Sequence, residues 1–134
     1  MDQARLRTVP FFSNMSKKEL AALAQQTDDI DVPAGKVLAR EGDVGDEFFI
    51  IDSGSAEVTR GGERVADLGP GDFFGEMALL DADRRTATVT ATSPMSLVVM
   101  TRSSFRTLDR SQPEVHQTVA RAIAERNASN ASNA

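Results

Sequence analysis

The chain has no cysteine, no tryptophan and no tyrosine, and its single histidine is His116. Without cysteine there is no disulfide, no thiolate metal site and no thiol nucleophile. One histidine on a helix has no partner for a catalytic triad or a zinc site, so His116 reads as a surface or packing residue. No run of about 18 apolar residues occurs, and the N-terminus lacks a signal-peptide pattern. The expectation is a soluble, cytoplasmic protein with no membrane partner. Basic residues are also in the minority, 15 Lys and Arg against 20 Asp and Glu, for a net charge of −5. That balance argues against nucleic acid as a partner, because a phosphate backbone needs a basic face.

What is present is enough for one domain: 134 residues can bury a sizeable core without staples. Ser16-Lys17-Lys18-Glu19 has capping-box spacing, and Leu20, Leu23 and Ala24 share a face of the helix it starts, with its end near Gln26. Met1 to Pro10 reads as a short basic helical arm. From Asp28 to Leu68 the apolar period changes from 3.6 to 2. Ile30-Asp31-Val32, Val37-Leu38-Ala39, Phe48 to Ile51 and Ala56 to Thr59 read as short strands between glycine turns. Ser53-Gly54 and Arg60-Gly61-Gly62-Glu63 are hairpin candidates. Several short strands separated this way predict a sandwich or barrel. Thr86 to Thr92 and Leu97 to Met100 add strands, and two helices follow, Arg102 to Arg110 and Pro113 to about Arg126. Residues 1–126 form a single domain on this reading, and the NASNASNA tail, 127–134, is a disordered polar segment.

The informative stretch lies between these halves, FFGEMALLDADRRTATV from Phe73 to Val89. Gly69-Pro70-Gly71-Asp72 reverses the chain ahead of it. Gly75 has no side chain to hold a ligand off the backbone, and Glu76 to Leu80 are helix formers, so free NH groups cluster at a helix N-terminus, which attracts an anion. Taken alone, Met77, Leu79 and Leu80 read as core. Asp81-Ala82-Asp83 breaks the apolar run, and Arg84-Arg85 returns two guanidinium groups to the same region. A carboxylate, backbone donors and an arginine are thereby gathered in one loop. The acidic residues Asp72, Glu76, Asp81 and Asp83 have no histidine or cysteine beside them, so they read as loop and capping residues. Phosphodiester hydrolysis would need a metal cluster or a general base beside a nucleophile. The expectation is no enzyme, no metal and no cofactor.

The order Phe74-Gly75-Glu76-Met77-Ala78-Leu79-Leu80, four further residues, then Arg85-Thr86-Ala87 resembles the phosphate-binding cassette of cyclic nucleotide-binding domains. That family includes regulatory subunits of cyclic-AMP-dependent protein kinase, cyclic-nucleotide-gated channels and the catabolite activator protein. Phe12-Ser13-Asn14-Met15-Ser16 is similar to the opening of the family's first helix. The turn glycines 35, 42, 54 and 71 fall where the family's β-roll turns, so the resemblance covers about Phe11 to Asp109. One departure is Arg84, where kinase-type cassettes carry proline; it is expected to change loop stiffness more than binding.

The resemblance implies an α+β, mainly β fold: an antiparallel, jelly-roll-like β-roll with an N-terminal helix, a short cassette helix and two C-terminal helices. It implies a cyclic nucleotide as ligand. Arg85 is the phosphate clamp, since a guanidinium offers two parallel charge-assisted hydrogen bonds, aided by NH groups near Ala78 and Leu79. Glu76 accepts from the ribose 2′-OH. Carried over by position, Val58, Val65 and Ala66 face the purine, and Phe74, Gly75, Met77, Thr86 and Ala87 complete the binding set. Thr86 bears on the choice of purine, with cyclic AMP favoured over cyclic GMP. The last helix is implied to act as a lid, with Val119 or Ile123 as an apolar cap. No effector segment is recognised, so the partner is expected to be a protein in trans or a lost fused domain. The last helix is too short for a long coiled coil, hence a monomer or weak dimer. The alternative is a ligand-free β-roll serving as a protein-interaction module; intact Glu76 and Arg85 argue against it, because a pocket without its ligand has no reason to keep an unpaired charge.

Overall fold

The computed structural model describes residues 6–7, 12–13, 15–75 and 84–131, without the side chains of 122, 123 and 125–131. Met77, Ala78, Leu79, Glu76 and the expected cassette helix therefore lie outside the described residues.

Helix α1, Lys17–Ala24, begins where the sequence places it. Ser16 Oγ accepts from the Glu19 NH at 3.1 Å, and the Glu19 carboxylate accepts from the Ser16 NH at 3.0 Å, a reciprocal capping box. Eight strands follow among the described residues: β1 Asp28–Val32, β2 Val37–Ala39, β3 Glu47–Ser53, β4 Ala56–Arg60, β5 Glu63–Leu68, β6 Phe73–Phe74, β7 Thr88–Ala91 and β8 Met95–Thr101. Helices α2, Arg102–Ser111, and α3, Pro113–Ala131, close the chain. The strands form two antiparallel sheets of four, ordered β1-β8-β3-β6 and β2-β7-β4-β5. This is the mainly β roll with helices that the cassette implied.

The unbroken apolar runs of β3 and β8 follow from burial on both faces. Phe48 and Ile50 sit opposite Met100 and Val98 and face a core built with the helices, including Leu20, Phe105 and Val119. Phe49 and Ile51 sit opposite Val99 and Leu97 and face the second core, between the sheets, with Phe74 and Val89. Leu6 is fully buried in the helical core, so that part of the N-terminal arm is packed.

Three expectations change. Ser53-Gly54 is a crossing between sheets and not a hairpin, since β3 and β4 belong to different sheets. Gly54, at φ 92°, leaves no room for a Cβ against Pro94 and Met95, so the chain turns there at close backbone contact. Helix α3 runs past Arg126 to Ala131, because neither glycine nor proline interrupts it and Ala128 and Ala131 favour helix. Residues 127–131 are therefore helical and not part of a disordered tail. Val119 is fully buried in the helical core and is not placed as a cap over a ligand; Ile123 lies outside the described side chains.

Candidate functional site

The segment that delivers Arg85 is pinned by backbone bonds before its side chain is considered. The Arg85 NH donates to the Asp43 carbonyl at 2.7 Å, and its carbonyl accepts from the Gly42 NH at 2.9 Å. Arg84 pairs with Val44 in an isolated β-bridge, and its Nη1 donates to the Gly42 carbonyl at 2.7 Å. Arg84, at the family's proline position, thus ties the loop down by hydrogen bonding instead of by a ring.

The half-buried Arg85 guanidinium donates from Nη2 to the Glu47 carbonyl at 2.8 Å. It lies between two glycines. A Cβ on Gly75 would stand 2.5 Å from Nη1 and 2.7 Å from the Glu47 carbonyl oxygen. A Cβ on Gly45 would stand 2.6 Å from Nη2 and 2.7 Å from Cζ. Gly75 also has φ 79°, which a side chain rarely adopts. The turn before it is closed by Asp72, whose Oδ2 accepts from the Gly69 NH at 2.8 Å. Asp72 is thus a turn residue, as the sequence reading has it.

Beyond Arg85, the exposed Thr86 has its carbonyl held by Arg60 Nε at 3.2 Å, and Thr88 Oγ1 accepts from the Glu41 NH at 3.0 Å. The Glu41 carboxylate in turn accepts from the Gly61 NH at 3.2 Å. These bonds lash the β4–β5 hairpin to the Arg85-Thr86-Ala87 segment, and pairing of Thr59 with Thr88 continues the contact into the sheet. Val58 lies opposite Ala66 on that hairpin and opposite Val89 on β7. Val65 is the extra residue of a β-bulge between the pairs Val58–Ala66 and Thr59–Arg64, and it stays 52% exposed. The fold therefore sets Gly75 against Arg85, and ties the Arg85-Thr86-Ala87 segment to the hairpin that carries Val58, Val65 and Ala66. Phe74 differs: it is buried and stacked on Phe49 with ring centroids 4.8 Å apart, so its ring belongs to the core.

Sequence reasoning missed Gly45, the Glu47 carbonyl, Arg60 and Glu41. A second glycine within the loop Gly42-Asp43-Val44-Gly45 was the available signal, since it marks close approach of another group. A backbone carbonyl, a strand-end arginine and a loop glutamate left none. Among the described residues no cluster of three His, Asp or Glu is placed to hold a metal, and no helix is long and apolar enough to cross a membrane.

The mainly β roll thus holds one arginine guanidinium between two glycines, a geometry that can receive an anion. The family model described as the cyclic nucleotide-binding domain matches residues 30–112, and the chain belongs to that family. It is 38% identical over 118 residues to a cyclic nucleotide-gated potassium channel of Rhizobium etli, covering 88% of this chain and 33% of that protein. It is 39% identical over 110 residues to a cAMP-dependent protein kinase regulatory subunit of Emericella nidulans, covering 81% of this chain and 27% of that one. The chain thus spans between a quarter and a third of the length of these relatives. A solved cyclic nucleotide-binding domain from Methylobacillus flagellatus superposes with a TM-score of 0.85 at 23% identity, over 98% of this chain and 76% of that one, a likeness of fold.

Proposed function

We propose that this chain is a regulatory module that binds cyclic AMP. The observation that carries the reading is Arg85: a half-buried guanidinium, moulded between two glycines and bonded to a neutral carbonyl, keeps its charge for an incoming anion. In this reading Arg85 takes the cyclic phosphate with the NH groups near Ala78 and Leu79, and Glu76 takes the ribose 2′-OH. Val58, Val65 and Ala66 offer small apolar surface to the purine, without an aromatic platform. Similarity to a kinase regulatory subunit whose name specifies cAMP favours that purine.

The role is regulatory and not catalytic. Occupancy is passed on by movement of the C-terminal helices to an effector, on another chain or fused to this one. Ligand can drive that movement only by its differential affinity for two helix arrangements. Val115 and Val119 of α3 sit in the same core as Phe48 and Met100 of the roll, which gives the helices a packed contact with it.

Calorimetric titration of the purified chain with cyclic AMP and cyclic GMP tests the reading, with Arg85→Ala as control. Wild type is expected to bind cyclic AMP more tightly. The control is expected to lose about 2–5 kcal/mol, the cost of removing one partner from a buried charged contact. Glu76→Ala costs less, because the hydroxyl it accepts is neutral. Wild-type affinity in a folded Arg85→Ala variant refutes the cassette assignment. Failure of folded wild type to bind either nucleotide turns the reading to a protein-interaction β-roll.

A further inference from the structure

Seven of the nine glycines have a positive φ, and Gly45 and Gly69 do not. At those two positions the backbone itself does not require glycine, since any L-residue adopts an ordinary φ. Gly69 has open space around it: a Cβ there would meet nothing within 4 Å. Gly45 is different. The three nearest atoms to a Cβ built on it are Nε, Nη2 and Cζ of Arg85, all closer than real Cβ contacts come. The Arg85 guanidinium is what a side chain at this position would meet first.

We infer that Gly45 is a positioning residue for ligand recognition, its missing side chain forming one wall of the slot that aims Arg85. This deepens the reading of the site as a cyclic nucleotide pocket and rests on it. The slot has three fixed sides. Gly45 lies at the Nε and Nη2 side of the guanidinium, Gly75 lies at Nη1, and the Glu47 carbonyl holds Nη2 at 2.8 Å. The segment carrying Arg85 is tied to the same loop by its backbone bonds to Gly42 and Asp43. A guanidinium makes a bidentate contact only at a defined orientation, and a slot sets that orientation before the anion arrives. The atoms a methyl at position 45 displaces are the far end of a flexible side chain. The variant therefore folds, and what it loses is the aim of Arg85.

The test compares Gly45→Ala with wild type and with Gly69→Ala, the glycine that has an ordinary φ and open surroundings. Gly45→Ala is expected to keep the wild-type melting temperature and to bind cyclic AMP roughly tenfold more weakly, the size of one charge-assisted hydrogen bond. Gly69→Ala is expected to leave affinity unchanged. The second readout needs no nucleotide: the Nε–H resonance of Arg85 in free ¹⁵N-labelled protein, assigned by its loss in Arg85→Ala. It is expected to stand apart from the exposed arginines in wild type and to merge with them in Gly45→Ala. An unmoved resonance in Gly45→Ala overturns the inference, as does an equal loss of affinity in Gly69→Ala. If wild type binds neither nucleotide, the functional reading fails while the resonance still decides whether Gly45 shapes the slot.

Discussion

Thr86 follows Arg85 with its carbonyl tied to Arg60, and the residue is exposed on a backbone that is held. A hydroxyl there can serve the 2-amino group of a guanine, which adenine lacks. Thr86→Ala is accordingly expected to weaken cyclic GMP binding by about 0.5–1.5 kcal/mol, one neutral hydrogen bond, and cyclic AMP binding by less. Parallel titrations check this, and equal losses for both nucleotides remove Thr86 from purine selection. At this scale Arg85 and Gly75 are legible because they belong to a contiguous motif. Gly45, Arg60 and the Glu47 carbonyl act through contacts made by residues far along the chain, and no local pattern encodes such a contact.

Among the elements, α1 is the one whose start is written in full by local residues, because both halves of a capping box lie within one turn. Ser16→Ala is expected to lower stability by about 1 kcal/mol, read by urea unfolding. The same cap carries a pH dependence. The Ser16 backbone NH, then its hydroxyl and the Thr118 hydroxyl, favour the charged Glu19 carboxylate and hold it below the ordinary glutamate value of 4.5. The unfolded chain therefore binds this proton more readily than the folded one. The stabilisation is present above the ordinary value and is lost as pH falls through the folded one. Glu19→Ala is expected to be less stable than wild type at about pH 7, with the gap narrowing as pH falls below the ordinary glutamate value; a gap independent of pH contradicts the assignment. Other elements were less legible. Strand β6 is two residues long, too short for any periodicity, and exists because Phe74 pairs with Phe49 across from β3. The Ser53-Gly54 crossing looks like a hairpin turn locally, and only the second sheet draws the chain away.

Across the whole molecule, β3 and β8 separate two cores and belong to both. Phe48, fully buried, meets the helical core and an edge-on Phe73 at 5.5 Å. Phe48→Ala is expected to cost about 3–5 kcal/mol, measured by urea unfolding, since the lost contacts and the cavity add. A loss below about 1 kcal/mol would mean that the helices do not close this core.

What the sequence by itself determined is what short-range chemistry can specify: the capped helix, the glycine turns, the doubly buried strands, and a contiguous motif that marks the family. Only the tertiary structure decided which strands share a sheet, how far the last helix runs, and which glycine lies against the arginine. The physical reason is common to these cases. Sheet order and side-chain slots are set by packing between segments distant along the chain, and that packing appears only when the two cores close.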